Sequence, residues 1–172
     1  MYNSWDVDLS DSVIALSKIK DSVIPKLIRG KIHCIENTKN EVLILLDRLS
    51  GIDYIREDRH GLQGIAARVQ WGRPYNTFTI RSERHTGSKT ELEKRLEQIE
   101  KGYFYPEFTM QAYFDNRKDN NLLSVAVVRT KDLYNLYKST PKIFEEKKSD
   151  NNFVFVRWNK IENLIKSYYG KR

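Results

Sequence analysis

The chain has 172 residues, of which 31% are charged, 40% hydrophobic and 12% aromatic, with a formal charge of +7 and a pI near 9.4. That composition excludes a disordered chain or a low-complexity fibre, and the length suits one domain able to bury a core without disulfide or metal staples. The basic balance favours polyanions through counterion release, with acidic protein surfaces as the other class of partner.

The first residues, MYNSWDVDLSDS, carry no signal-peptide apolar stretch, and no apolar run reaches membrane-spanning length. A soluble, intracellular chain is therefore expected. Asp11 to Ile28 is predicted as an amphipathic helix striped by Val13, Leu16, Val23, Ile24, Leu27 and Ile28, ended or kinked near Ser22–Val23 by Pro25. KIHCIEN is a short strand. Its Cys34 is the sole cysteine, which precludes an intrachain disulfide and points to a reducing, cytoplasmic setting; Ile32 and Ile35 beside it predict a buried, inert thiol. Asn40 caps a second helix, EVLILLDRLS, apolar on nearly all sides and expected to be deeply packed or partly strand.

Three strands are predicted next: GIDYIRE, GIAARVQW and FTIRSER. In the second, Ile65, Ala67, Val69 and Trp71 point one way and Ala66, Arg68 and Gln70 the other. A capping box at Ser88–Lys89–Thr90–Glu91 opens a helix that stops at Gly102, with Glu91–Arg95 and Glu97–Lys101 as i,i+4 pairs. FTMQAYFD and LLSVAVVRT form a hairpin across Asn116–Asn121, and Thr130 caps KDLYNLYKS. Residues 142–152 read as a charged connector, and 153–172 as a strand, FVFVRW, followed by a basic terminal helix. The expected fold is a single α+β domain over 1–172, its core about 11–140, with a mixed central sheet flanked by helices.

Zinc is excluded by spacing, since His33, His60 and His85 share no ligand pattern with Cys34. No Gly-rich phosphate loop, GxSxG elbow, kinase or dinucleotide signature is present. The polar face that carries Arg68, Gln70 and Arg81, with Asp53 on the neighbouring strand, is the candidate site. Three readings of it stay open. Asp53 pairs with Arg68 or Arg81 across strands, or it holds a divalent cation, or the face grips a polyanion without metal. Arg56, Arg59, Arg73, Arg84, Lys89, Lys94 and Arg95 surround it; Trp71 and Phe78 are expected in the core and Tyr75 exposed, where it can stack on unpaired bases.

A helix, an acid within a strand reading GID, a strand ending in a polar-x-polar pair and another helix resemble the PD-(D/E)XK nuclease superfamily, over about residues 36–137. GIDYI, GIAARVQWG, TFTIRSER and TELEKR also look like small uncharacterised proteins of phages and mobile elements. The resemblance implies a PD-(D/E)XK-like fold and a Mg²⁺- or Mn²⁺-dependent nuclease. Asp53 and Gln70 would then bind the metal with an acid from Glu36, Glu41 or Asp47. Arg68 and Lys94 would serve the reacting phosphate, and Arg73, Tyr75, Arg81, Arg84 and Lys89 the nucleic acid. The sequence departs from the family pattern, because Arg68 stands where an acid is wanted and Gln70 where the lysine is. The alternative is an inactive, nuclease-like chain that binds a protein partner, as an inhibitor or accessory factor in phage–host conflict.

Overall fold

Strands whose two faces are both covered carry apolar residues on both, and Phe108–Phe114 and Leu122–Arg129 do so. They form the centre of the computed structural model, which describes residues 4–35, 39–83, 89–147 and 152–170. The helices are α1 (Ser4–Lys20), α2 (Ile24–Leu27), α3 (Glu41–Ser50), α4 (Glu91–Lys101) and α5 (Thr130–Ser139). The strands are β1 (Lys31–Cys34), β2 (Tyr54–Asp58), β3 (Gly61–Trp71), β4 (Thr77–Arg81), β5 (Phe108–Phe114), β6 (Leu122–Arg129), β7 (Glu145–Lys147), β8 (Phe153–Arg157) and β9 (Ile165–Gly170). Six of them form a sheet in the order β1-β2-β3-β5-β6-β9, and a second sheet runs β4-β8-β7. Among the described residues only β3 and β5 pair in parallel, as expected where a helical crossover, here α4, intervenes. The result is an α+β domain with a mixed central sheet flanked by helices.

On one face of the large sheet, Ile65, Met110, Ala112, Phe114, Val125 and Val127 pack against Ala15, Leu16 and Ile19 of α1 and Ile24 of α2. On the other face Tyr113, Ala126 and Val128 meet Phe78 and Ile80 of β4, Val154 and Val156 of β8, and Leu133 and Tyr134 of α5. Gly64 is required where β3 passes the segments that lead into β2 and β5: a Cβ there would sit 2.6 Å from Ile52 Cδ1 and 3.1 Å from the Pro106 backbone. Among the described residues no helix is long and apolar enough to cross a membrane.

Several expectations need correction. FTIRSER does not extend the first two strands of its trio, because β4 belongs to the smaller sheet and pairs with β8. The predicted terminal helix is β9, which pairs with β6; the segment from Trp158 to Ile165 is instead a run of short i→i+3 turns that anchors Ile161 in the core. The charged connector contains β7 and the buried Phe144. The first helix starts earlier than Asp11, and Ile24–Leu27 is a separate turn beyond the break at Val23. Asn40 caps α3 as expected, its side chain accepting from Val42 and Leu43, but α3 is not deeply packed: Val42, Ile44, Leu45 and Leu49 are exposed. The capping box on α4 is Thr90 with Glu93 rather than the predicted pair, and Ser88 lies outside the described residues.

Candidate functional site

β2 is shorter than β3 and pairs only with its first half, up to Ile65. Beyond that point β3 has β5 on one side and, among the described residues, no strand on the other. Asp53 sits where the ladder stops. Its N–H donates to the Ile65 carbonyl at 2.9 Å, and its carboxylate accepts the Ala67 N–H at 2.5 Å. A strand's N–H groups lie in the plane of the sheet, so that carboxylate oxygen sits at the sheet edge, taking the place of a ladder carbonyl.

The open half of β3 borders a cleft of about 900 Å³ whose far wall is the smaller sheet. Val69, Gln70 and Trp71 form one side, and Thr77, Thr79, Phe153 and Phe155 the other. Tyr75, Arg117, Lys147 and Arg157 lie around it, with Ser12 from α1. Among the described lining residues there are thus three cations, four aromatic rings and no carboxylate. Two acids act just outside: Asp11 pairs with Arg117 at 2.7 Å and Glu145 with Arg157 at 3.1 Å. Arg157 holds the Glu145 carboxyl below the usual glutamate range.

The predicted site residues are dispersed by this geometry. Gln70 and Tyr75 both line the cleft. Arg68 and Arg81 come together behind it, each guanidinium 5.6 Å from the Phe153 ring centroid. Arg68 is bonded to Glu91 in the first turn of α4, and Glu91 also accepts from the Arg81 N–H at 3.4 Å and the Tyr134 hydroxyl at 3.3 Å. These groups form a half-buried polar seam between the layers. Lys89 pairs with Glu97, Lys94 is exposed on α4, and Arg73 is exposed on the loop after β3. On α3, Glu41 is exposed in the first turn, and Asp47 is half-buried with its carboxyl raised by loss of solvent. Glu36 and Arg84 lie outside the described residues.

A divalent cation with this donor set was expected to draw on Asp53, Gln70 and an acid from α3 or its flank. Among the described residues no group of three or more His, Cys, Asp or Glu side chains comes together to hold a metal. The Asp53 carboxylate is already engaged by a backbone donor. The described donors therefore do not fit the expected ion.

Arg117, Lys147, Phe153, Phe155 and Arg157 were not among the residues singled out from the sequence. One signal was available. In FVFVRW, period 2 places Phe153, Phe155 and Arg157 on the face opposite the core residues Val154, Val156 and Trp158. Aromatic rings on the face that should be polar mark a covered or ligand-binding surface. No protein-family model, no curated protein and no solved structure matches this chain.

Proposed function

We propose that this chain is a nucleic-acid-binding protein whose cleft along the open half of β3 grips the polyanion. The observation that carries the reading is the lining itself, three cations and four rings with no carboxylate among the described residues. Arginine binds phosphate through a planar fork, lysine as a point charge, and rings offer faces to bases. The PD-(D/E)XK-like arrangement belongs to the same proposal, supported by the succession of α3, the acid Asp53 before β2, then β3, β4 and α4. Binding rather than hydrolysis is the function proposed, because Arg68 stands where the family wants an acid and the described acids do not assemble around Asp53.

The test is a salt titration of binding to DNA and RNA. With two to three phosphates neutralised, log affinity falls with log salt with a slope of about −1.4 to −2.7, and Lys147→Ala makes it shallower by about one. A plasmid and single strands incubated with Mg²⁺ stay intact, and Asp53→Ala leaves binding unchanged. Metal-dependent cleavage lost in Asp53→Ala would instead establish the nuclease. A second reading, an inactive nuclease-like chain that binds a protein partner, is favoured by the exposed apolar residues of α3, Val42 at 66% and Leu49 at 60%. It takes over if no nucleic acid binds in a salt-sensitive way.

A further inference from the structure

The loop joining β5 to β6 is held rigid by its own side chains. Asp115 Oδ1 accepts from the backbone N–H groups of Asn116 at 2.6 Å and Asn121 at 2.8 Å. Asn116 Oδ1 accepts from those of Lys118 at 2.9 Å and Asp119 at 2.8 Å. At its end Asn120 is buried, with a left-handed φ of 52° that asparagine tolerates better than most residues. Its side-chain oxygen accepts the Trp71 indole N–H at 2.8 Å, and its amide donates to the Arg117 carbonyl at 2.9 Å. The Arg117 guanidinium is thereby laid over the Trp71 indole, 4.5 Å from the ring centroid, and Asp11 holds it there at 2.7 Å.

We propose that the Trp71–Arg117 stack is a preformed platform on which the cleft receives an unpaired base of single-stranded nucleic acid, with Lys147 and Arg157 taking the flanking phosphates. The inference rests on the nucleic-acid reading above and narrows its substrate. A guanidinium plane accepts any base by stacking, as an aromatic face does. An arginine that serves phosphate alone has no need to sit over a ring. Because the loop and Asn120 set the stack before any ligand arrives, little side-chain freedom is lost on binding. At about 900 Å³ the cleft lies in the size range of small-ligand sites, room for a few nucleotides. A duplex keeps its bases stacked within and presents phosphates at its edge, so it leaves Trp71, Tyr75 and Phe155 unused.

The experiment measures binding of short oligo-dT, short oligo-rU and a duplex of equal phosphate count, by anisotropy and by tryptophan fluorescence. Single strands are expected to bind at least about tenfold tighter than duplex, since each stacked base adds a factor of that order. They should quench a fluorescence component that Trp71→Phe removes. Arg117→Lys keeps the charge and loses the plane, and is expected to weaken single-strand binding about tenfold, as Arg117→Ala does. Tyr75→Ala, at a ring 61% exposed and outside the core, is expected to weaken it about threefold or more without touching the fold. Wild-type affinity in Arg117→Lys overturns the platform, whatever Tyr75→Ala shows, while nucleic-acid binding stands. Equal or tighter duplex binding overturns the single-strand inference and also leaves that reading standing. If no arm binds, both fall. The dT and rU arms separate DNA from RNA.

Discussion

Glu97 sits between Lys101, which donates at 2.6 Å, and Lys89, and the two ammonium groups hold its carboxyl down at about 2 against an ordinary 4.5. A carboxyl depressed in the folded state contributes stability that is present above its ordinary value and lost as pH falls toward the folded one. Glu97→Gln is therefore expected to flatten the acid limb of the stability curve between pH 4.5 and about 2, read as urea midpoint against pH. The pair is solvent-exposed, so high salt should shrink the difference. Asp47 has the opposite sign: burial raises its carboxyl, and its contribution is present at low pH and lost as pH rises through the raised value. The i,i+4 spacing made Glu97–Lys101 legible in the sequence. The depth of Asp47 was not, because burial belongs to the fold and not to the residue.

At the level of elements, a buried hydroxyl bridges the two sheets across their shared apolar layer. Tyr113 of β5 reaches across to β4, where its oxygen takes the Thr77 N–H at 3.1 Å, lies 2.8 Å from Thr77 Oγ1 and donates to the Thr77 carbonyl at 3.1 Å. Burial raises the Tyr113 pKa, so the hydroxyl stays neutral. Tyr113→Phe strands the Thr77 N–H in a dry layer and is expected to cost about 1–3 kcal/mol in urea unfolding. An unchanged midpoint would show that water replaces the bond. Helices were legible where caps and spacing agreed: Asn40 and Gly51 bound α3, and Gly102 ends α4. The start of α4 was displaced because Ser88 and Thr90 both have an acid three residues on, and side-chain chemistry alone does not choose between them. The candidate site suffered more. Arg68 and Arg81 do converge on one ring, Phe153, but Glu91 and Tyr134 enclose them, and both partners come from distant segments.

For the molecule as a whole, β9 closes the large sheet. It lies along β6 from Ser124 to Val128, and Ser167 Oγ donates to the Leu27 carbonyl of α2 at 2.7 Å. A chain ending at Asn163 would leave β6 as an apolar edge, a template for aggregation. Its cooperative urea transition is expected to be lost or lowered by several kcal/mol (about 25 cal/mol per Å² uncovered), and a wild-type midpoint would show β9 to be dispensable. The sequence by itself determined the α+β class, the hairpin across Asn116–Asn121, the exposure of Tyr75 and most of the strands, since alternation, caps and turns act over a few neighbouring residues. Only the tertiary structure decided that β4 leaves the large sheet for β8, that the tail is a strand, and that Arg117 comes to lie on Trp71. Each of these depends on pairing partners far along the chain. Local propensity is worth less there than the burial and hydrogen bonds that a neighbouring strand supplies.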